Sequence, residues 1–364
     1  MPEIWFPYGQ VETLLTIQAE NLASVVEPAE EAATVDLERL GGDIRRATHL
    51  FVCDSKPATL QLIAQVSEAI KSNEGLAVVP ADSKVEQQLQ GFKEKRGQLG
   101  RPSESERDET LYDKALLATG RKVFIATAQP DPLYGIKDCC VSACLTWVGN
   151  ARRISTLATE EFLPSPYERT ESYRSVEEMS SRIVDPTFVD AIPRGGKIRS
   201  VMQDAPFDTL RNGFLEAGMQ PARATIVGAG GAGYDATLSD AVRVVWSAVD
   251  ATRSGGDVLL LAECTDGLGS KALEMLASGR IPSTGRAPAK YVEGMEEIDY
   301  LESLKSDYDV MLLSGLPELY AKSKLGFRTA KGSEEALGKM LTKLGRSAKF
   351  NVLTRAPEAR VSGS

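Results

Sequence analysis

Short apolar runs alternate along this chain with longer stretches in which apolar residues recur at helical spacing. In the first half, the runs at 48–53, 76–81 and 121–128 predict strands. Between the first two, apolar residues from Leu60 to Ile70 follow a helical period, and Gly75 supplies a stop. This order predicts a βαβ unit. Its repetition along the chain predicts an α/β fold with largely parallel sheets.

A second α/β block is predicted from residue 207 onward. Its predicted helices cover 207–218, 236–256 and 334–345, and its predicted strands include 257–263, 307–315 and 349–354. The stretch 151–206 lacks clean strand signals and predicts helical and irregular material before a boundary. We therefore expect two α/β domains, 1–206 and 207–346, with a cleft between them. The pattern leaves open whether the last strand, within 347–364, returns to the first domain.

The charge balance argues against nucleic acid as a partner. The chain has 364 residues with 42 Lys and Arg against 51 Asp and Glu, a formal net charge of −9. An acidic surface gives a phosphate backbone little long-range attraction. The most charged stretch, 93–114, interleaves acids with bases and predicts an exposed excursion.

The histidine and cysteine counts exclude several classes of site. A single histidine, His49, means that a Ser-His-Asp triad is built around it or absent, and that one chain cannot supply two histidine ligands. Cys139, Cys140 and Cys144 lack a fourth metal ligand at suitable spacing, so no metal site is expected. Five dispersed cysteines indicate thiols in a reducing compartment, and no signal-peptide pattern or long apolar run is present. We expect a cytoplasmic protein that neither enters nor crosses a membrane.

The sequence GAGGAG follows an apolar strand and precedes a helix. Glycines at such a turn let the backbone bend sharply and let a ligand approach amide groups at a helix N-terminus. The spacing of Thr237 and Asp240 predicts a helix N-cap just after the loop. Two interpretations stay open, a dinucleotide site and a tight turn without a ligand. A dinucleotide site needs an acid at the end of the next strand about 20 residues on, and Glu263 comes later than that. The loop glycines are Gly228, Gly230, Gly231 and Gly233.

A second turn, CDSKP at 53–57, also follows a predicted strand. Ligands in open α/β sheets gather beyond the carboxyl ends of the strands, so Asp54 and Lys56 are candidates to face one. Pro57 suits the first turn of a helix, and Asp54 or Ser55 suits its cap. Capping does not explain Lys56.

These features together resemble the nickel-dependent lactate racemase family. The resemblance is carried by EIWFPYG near the start, by CDSKP, by the long stretch from TIVGAGGAGYDATLSDAVR to ECTDGLGS, and by DVMLLSG through KFNVLT. It implies two α/β domains with the active site between them. It also implies a nickel pincer nucleotide held on a lysine and through a histidine on the metal. In such enzymes this cofactor moves a hydride off and back onto a 2-hydroxy acid, with two histidines as acid and base.

The chain departs from that pattern at the histidines. It reads DSK at 82–84 and QPDPLYGIKDCC at 129–140, where the family has its histidine-bearing turns. Asp54 matches the acid of the family's first turn, Lys56 stands for its arginine, and Arg243 stands for a lysine. We therefore expect a divergent relative without the catalytic histidines, in which nickel hydride chemistry is not retained.

The leading hypothesis is a protein that binds a small anionic ligand, a 2-hydroxy acid or a nucleotide, in the cleft. An NAD(P)-dependent oxidoreductase built on GAGGAG and a non-catalytic regulatory or scaffolding protein are the alternatives, and a homo-oligomer is left open. The candidates for proton transfer are Lys84, Tyr134 and Lys137. The candidate ligand-binding residues are Asp54, Lys56, Gly228, Gly230, Gly231, Gly233, Asp235 and Arg243.

Overall fold

A computed structural model describes residues 2–31, 33, 35–80, 83–89, 119–147, 167–281 and 292–362. The fold is α/β, with two main sheets built mostly from parallel strands. The charged segment 93–114, predicted to be an exposed excursion, lies outside the described residues. No helix within the described ranges has the length and apolar character needed to cross a membrane.

The first sheet has five strands in the order β10-β9-β6-β4-β5. Its strands are β4 (His49–Val52), β5 (Ala77–Pro80), β6 (Lys122–Thr127), β9 (Pro186–Arg194) and β10 (Lys197–Gln203). All neighbours are parallel except β10, which pairs antiparallel with β9. Parallel strands buried on both faces carry near-continuous apolar runs. All six residues of β6 are buried, and Val123–Ala126 form its apolar run.

The second sheet has six parallel strands in the order β15-β14-β13-β12-β16-β3. Its strands are β3 (Leu22–Val26), β12 (Ala222–Gly228), β13 (Thr252–Leu261), β14 (Asp309–Leu313), β15 (Arg328–Ala330) and β16 (Phe350–Leu353). Alternate residues serve two separate cores. Ile226, for example, packs beneath the N-terminal hairpin, whereas Val227 joins the core on the opposite face.

Three small sheets complete the strand set. Their pairs are β1 (Glu3–Tyr8) with β2 (Val11–Thr16), β7 (Gln129–Asp131) with β8 (Gly135–Lys137), and β11 (Leu215–Gly218) with β17 (Ala359–Ser362). The β1–β2 hairpin packs Phe6 and Leu15, both fully buried or nearly so, on the second sheet. The β7–β8 ribbon directly follows β6, so the carboxyl end of that strand leads into a short, stiff turn.

The helices cover the faces of both sheets. They are α1 (Leu37–Arg46), α2 (Pro57–Gln65), α3 (Ser67–Ser72), α4 (Ser83–Gln88), α5 (Cys139–Trp147), α6 (Glu171–Ser180), α7 (Phe207–Gly213), α8 (Leu238–Val245), α9 (Lys271–Ala277), α10 (Met295–Asp307) and α11 (Ser333–Leu344). Short 3-10 helices lie at Ala19–Asn21, Trp246–Ala251 and Ala356–Glu358, and a π-helical turn lies at Leu319–Lys324. The predicted N-cap of α8 is confirmed, because Thr237 Oγ1 accepts from Asp240 N at 3.2 Å.

One sequence expectation about the fold is wrong. The described part of the stretch 151–206 contains two strands that the sequence did not predict, β9 and β10 of the first sheet. The sequence left the place of the last strand open, and the structure places it in the second sheet, where β16 lies between β12 and β3. The second sheet also includes β3, near the start of the chain.

One carboxylate joins the β9–β10 turn of the first sheet to the C-terminal segment. Glu358, 1% exposed, accepts hydrogen bonds from the backbone of Gly195 at 2.6 Å and of Gly196 at 3.0 Å. Arg355 lies 3.9 Å from the same carboxylate. Burial raises the pKa of Glu358, and the two backbone donors and Arg355 oppose that rise. We call this contact the Glu358 latch.

Candidate functional site

A small cavity lies where turns of both sheets meet. Its volume is about 40 Å³, room for about one water molecule. The turns after β4 and β6, the β7–β8 ribbon, α8 and the Ala356–Glu358 turn all contribute walls. Because the parallel strands β4 and β6 end at the same edge of the first sheet, their following turns are neighbours. The lining residues are Asp54, Lys56, Gln129, Pro130, Asp131, Lys137, Asp240, Arg243, Val244 and Pro357.

Asp54 fixes the turn after β4. Its carboxylate accepts from Lys56 N at 2.9 Å and from Thr127 N, at the end of β6, at 2.7 Å. Burial raises its pKa, while these hydrogen bonds and the Lys56 charge oppose the rise. Lys56, rather than Asp54 or Ser55, is the N-cap residue of α2, and Pro57 opens that helix as predicted. Asp54 therefore orients Lys56.

Lys56 bridges the two sheets. Its ammonium donates to the Gly233 carbonyl at 2.8 Å and to Asp240 Oδ1 at 2.6 Å. It also lies 5.8 Å from the centre of the Tyr234 ring. Although burial opposes the change, the Lys56 charge lowers the pKa of Asp240. The first cation of the site is thus already paired within the chain.

Arg243 on α8 is surrounded by acids. Its guanidinium donates to Glu297 at 3.0 Å, and it lies 3.7 Å from Glu296 and 3.8 Å from Asp131. Its centre is 5.6 Å from the Tyr300 ring. Asp131 in turn accepts from the Tyr300 hydroxyl at 3.1 Å and caps its own turn. The acids that hold Arg243 come from the β7–β8 ribbon and from α10, and they fix the guanidinium at the cavity wall.

Lys137, at the end of β8, differs from the other two cations. Its ammonium has no hydrogen-bond acceptor and no ion-pair partner within the part of the chain that the structure describes. Burial lowers its pKa, and the positive charge of Arg243 lowers it further, against the opposing charge of Asp131. The side chain is half-buried rather than enclosed. Lys137 is therefore the cavity cation most available to a ligand.

The glycine loop does not line this cavity. A β-carbon on Gly228 would lie 2.2 Å from the Thr354 carbonyl oxygen, one on Gly231 would lie 2.6 Å from Pro7, and one on Gly233 would lie 2.7 Å from Pro57. Gly230 faces Pro357 at 3.3 Å, and Gly230, Gly231 and Gly233 all have positive φ. Other segments of the chain therefore approach the loop too closely for larger side chains at these positions. The loop serves close backbone packing.

Asp235 has a similar internal role. Its Oδ2 accepts from Gly9 N at 2.8 Å and from Glu263 N at 3.2 Å, and the residue is fully buried. It therefore ties the N-terminal hairpin to the turn after β13. Of the predicted binding residues, the structure brings Asp54, Lys56 and Arg243 to the cavity, together with Lys137 from the proton-transfer candidates.

The other two proton-transfer candidates lie elsewhere. Tyr134 is buried, and its side chain is not part of the cavity lining. Its backbone N–H donates to Asp131 at 3.0 Å. Lys84 lies on α4, and its side chain is outside the described part of the structure. Asp131 and Asp240 are cavity residues that sequence reasoning missed. Asp131 gives no signal beyond its place just after a strand, and Asp240 was recognised only as a cap.

A buried acid beside the site gives a pH prediction. Asp138 accepts from Val141 N at 2.7 Å and from the Tyr173 hydroxyl, and burial raises its pKa to about 6. Because the folded chain holds this proton more tightly than the unfolded chain, the ionised carboxylate costs folding free energy above about pH 6. That cost disappears as the pH falls from about 6 toward the ordinary pKa of an aspartate side chain.

We expect Asp138→Asn to raise stability at pH 8 by about 1 to 3 kcal/mol, with the gain shrinking toward pH 4. Urea unfolding at both pH values measures it. Asp36→Asn, the same change at the exposed N-cap of α1, is the control. An equal gain at both pH values would show that the Asp138 charge is not the cause.

Comparisons with known proteins agree with this architecture. No protein-family model matches the chain, and no curated protein matches it. The solved structure of the lactate racemase apoprotein from Thermoanaerobacterium thermosaccharolyticum superposes with a TM-score of 0.70 at 16% identity, covering 99% of this chain and 100% of that one. A structural-genomics crystal structure of a Thermotoga maritima protein has a TM-score of 0.50 at 11% identity, covering 90% of this chain and 96% of that one. The chain therefore has a lactate-racemase-like fold.

Proposed function

We propose that this protein binds a small carboxylate-bearing or phosphate-bearing anion in the cavity between its two sheets. The observation that carries the proposal is the placement of Lys56, Lys137 and Arg243 around one cavity at the strand ends. Among the lining residues these three cations face three aspartates, Asp54, Asp131 and Asp240. An incoming anion thus has one uncommitted partner, Lys137, and must compete for the other two.

The size of the cavity sets a further condition. About 40 Å³ holds water but not a 2-hydroxy acid. The contacts that close it across the two sheets include the bonds of Lys56 to Gly233 and Asp240 and the approach of Arg243 to Asp131 at 3.8 Å. Binding therefore requires the turn after β4 to separate from α8, with the anion replacing Asp240 as the partner of Lys56. In this exchange Lys56 keeps a charge-assisted partner, and Asp240, whose side chain is 34% exposed, keeps its hydrogen bond from the Thr237 hydroxyl.

The donors around the cavity do not fit a nickel pincer nucleotide. Lys137 could supply the lysine that such a cofactor needs, but no histidine is near it. The chain's single histidine, His49, begins β4, and the cavity lies beyond the other end of that strand. The cations of Lys56 and Arg243 line the same cavity and would oppose a metal ion there, although the carboxylates of Asp131 and Asp240 act in the opposite sense. We therefore infer no reaction step through that cofactor and propose anion binding without nickel chemistry.

Lys137→Met is the variant that tests anion binding most directly. Lys56→Met would leave Asp240 without its partner, and Arg243→Met would do the same to Glu297. Replacing Lys137 leaves no acid in the described part of the chain without a partner. We expect an unchanged fold and an affinity for lactate, glycolate or phosphate that falls about tenfold, since a hydrogen bond to a charged group contributes about 1.5–3 kcal/mol. Titration calorimetry measures it.

Lys71→Met, on the exposed face of α3, is the matched control, because it removes the same charge far from the cavity. Anion binding that survives Lys137→Met unchanged would remove Lys137 from the site. Absence of binding to the wild-type chain by all three anions would overturn the proposed function.

A second prediction concerns the cofactor. Protein purified from cells that make the nickel pincer nucleotide is expected to carry neither stoichiometric nickel nor an added covalent mass, because no imidazole is available to the metal. Metal analysis and intact-mass spectrometry measure both. Nickel at one equivalent with a mass addition on Lys137 would contradict the donor-set argument.

A further inference from the structure

Lys137 is placed like a reactive amine rather than a structural one. Of the three cations at the cavity, Lys56 has two acceptors within 2.8 Å and Arg243 has three acidic neighbours within 3.8 Å. Lys137 has none in the described residues, although it lies in the same wall. A structural lysine normally ends at a carboxylate, a carbonyl or bulk water. This one ends at a half-enclosed cavity.

The surroundings reduce its proton affinity. Burial and the Arg243 charge lower the pKa of Lys137, which increases the fraction of uncharged amine at neutral pH. An uncharged amine is a nucleophile toward carbonyl carbon. Pro130, Val244 and Pro357 add apolar contacts to the cavity wall, and these favour the loss of water that imine formation requires.

We propose that Lys137 forms an imine with the carbonyl carbon of a small 2-oxo acid whose carboxylate is held by Lys56 and Arg243. This inference rests on the proposed anion binding and adds a covalent step to it. Lys56 and Arg243 lie on separate elements, the turn after β4 and α8, and so can approach a carboxylate from two sides. Lys137 completes the third side of the cavity.

The reaction balances without a redox partner. The Lys137 nitrogen attacks the carbonyl carbon and a C–N bond forms. The carbonyl oxygen then takes two hydrogens from the nitrogen and leaves as water, which gives C=N. Solvent water relays the proton from nitrogen to oxygen, and the negative charges of Asp131 and Asp240, which act on Lys137, favour the protonated imine. Hydrolysis of the imine reverses each step.

Reductive trapping tests the proposal. The intact wild-type protein is incubated with glyoxylate, the smallest 2-oxo acid, and cyanoborohydride, which reduces an imine to a stable secondary amine. Peptide mapping then locates the added carboxymethyl group. We expect Lys137 to be labelled at least about tenfold faster than exposed Lys71, because its amine is less protonated. Lactate, which has no aldehyde or ketone carbonyl and so cannot form an imine, should slow labelling of Lys137 alone.

Calorimetry with lactate, run in parallel, separates the two proposals. Lactate binding with no preference for Lys137 in the trapping would overturn the imine and leave anion binding intact. Labelling at equal rates on Lys137 and Lys71, unaffected by lactate, would also overturn it. Absence of both binding and labelling would overturn both proposals. The competition experiment uses only wild-type protein, so the outcome does not depend on whether Lys137→Met folds.

Discussion

Replacing Gly228 with alanine is expected to lower the free energy of unfolding by about 3 kcal/mol, among the largest losses from adding one methyl group to this chain. The added β-carbon would lie 2.2 Å from the Thr354 carbonyl oxygen and 2.9 Å from the ring of Phe6. The carbonyl belongs to the backbone just after β16, so it cannot rotate away as a flexible side chain can. The strand pair β12–β16 would have to separate locally.

Gly338→Ala supplies the matched control. Gly338 lies inside α11, has no atom within 4 Å of an added β-carbon, and does not have positive φ. Alanine there should stabilise the chain by about 0.5–1 kcal/mol, because glycine is a poor helix residue. Chemical denaturation of both variants gives the comparison. If Gly228→Ala is as stable as Gly338→Ala, the close approach between β12 and the Thr354 carbonyl does not exist.

Removing the Glu358 latch should have the second large effect. Glu358→Ala deprives the Gly195 and Gly196 N–H groups of their acceptor and leaves Arg355 without its carboxylate. Because Glu358 is almost fully buried, we expect a loss of about 2–4 kcal/mol in folding free energy. Part of the loss should appear as separation of the β9–β10 turn from the C-terminal segment.

Hydrogen exchange at Gly195 and Gly196 measures that separation directly, since both amides lose protection when the latch opens. Glu335→Ala, which breaks an exposed pair with Lys339, is the control and should change stability by less than about 1 kcal/mol. Unchanged protection of the two glycine amides in Glu358→Ala would show that the carboxylate does not hold the turn.

The sequence predicted the α/β class because strands buried on both faces carry near-continuous apolar runs, as Val123–Ala126 of β6 does. It missed β9 because Pro186 and Pro193 lower strand propensity. Pro186 only begins the strand, and Pro193 pairs with Ile198 beside an irregularity in register. Prolines at these ends cost few sheet hydrogen bonds, so the interior strand survives.

The site was predictable to a similar extent. Asp54 and Lys56 could be located because Pro57, directly after a strand, predicts the start of a helix. The carboxyl end of a parallel strand is also the edge of the sheet at which ligands bind. The acids around Arg243 could not, since Glu297 lies 54 residues along the chain and bears no motif. Glycine at Gly230, Gly231 and Gly233 is consistent with the positive φ that the structure shows there. What fills the space beside them, Pro7, Pro57 and Pro357, depends on tertiary packing alone.

In the described sheet, β3 is an edge strand that pairs with β16, and this position has a consequence during synthesis. β3 ends at Val26, which pairs with Leu353, so its partner is synthesised 327 residues later. The first sheet, whose strands run from His49 to Gln203, is complete long before that. A nascent chain should therefore fold the first sheet first. The amino-terminal hairpin and β3 should stay exposed until the end of translation, when β16 is synthesised.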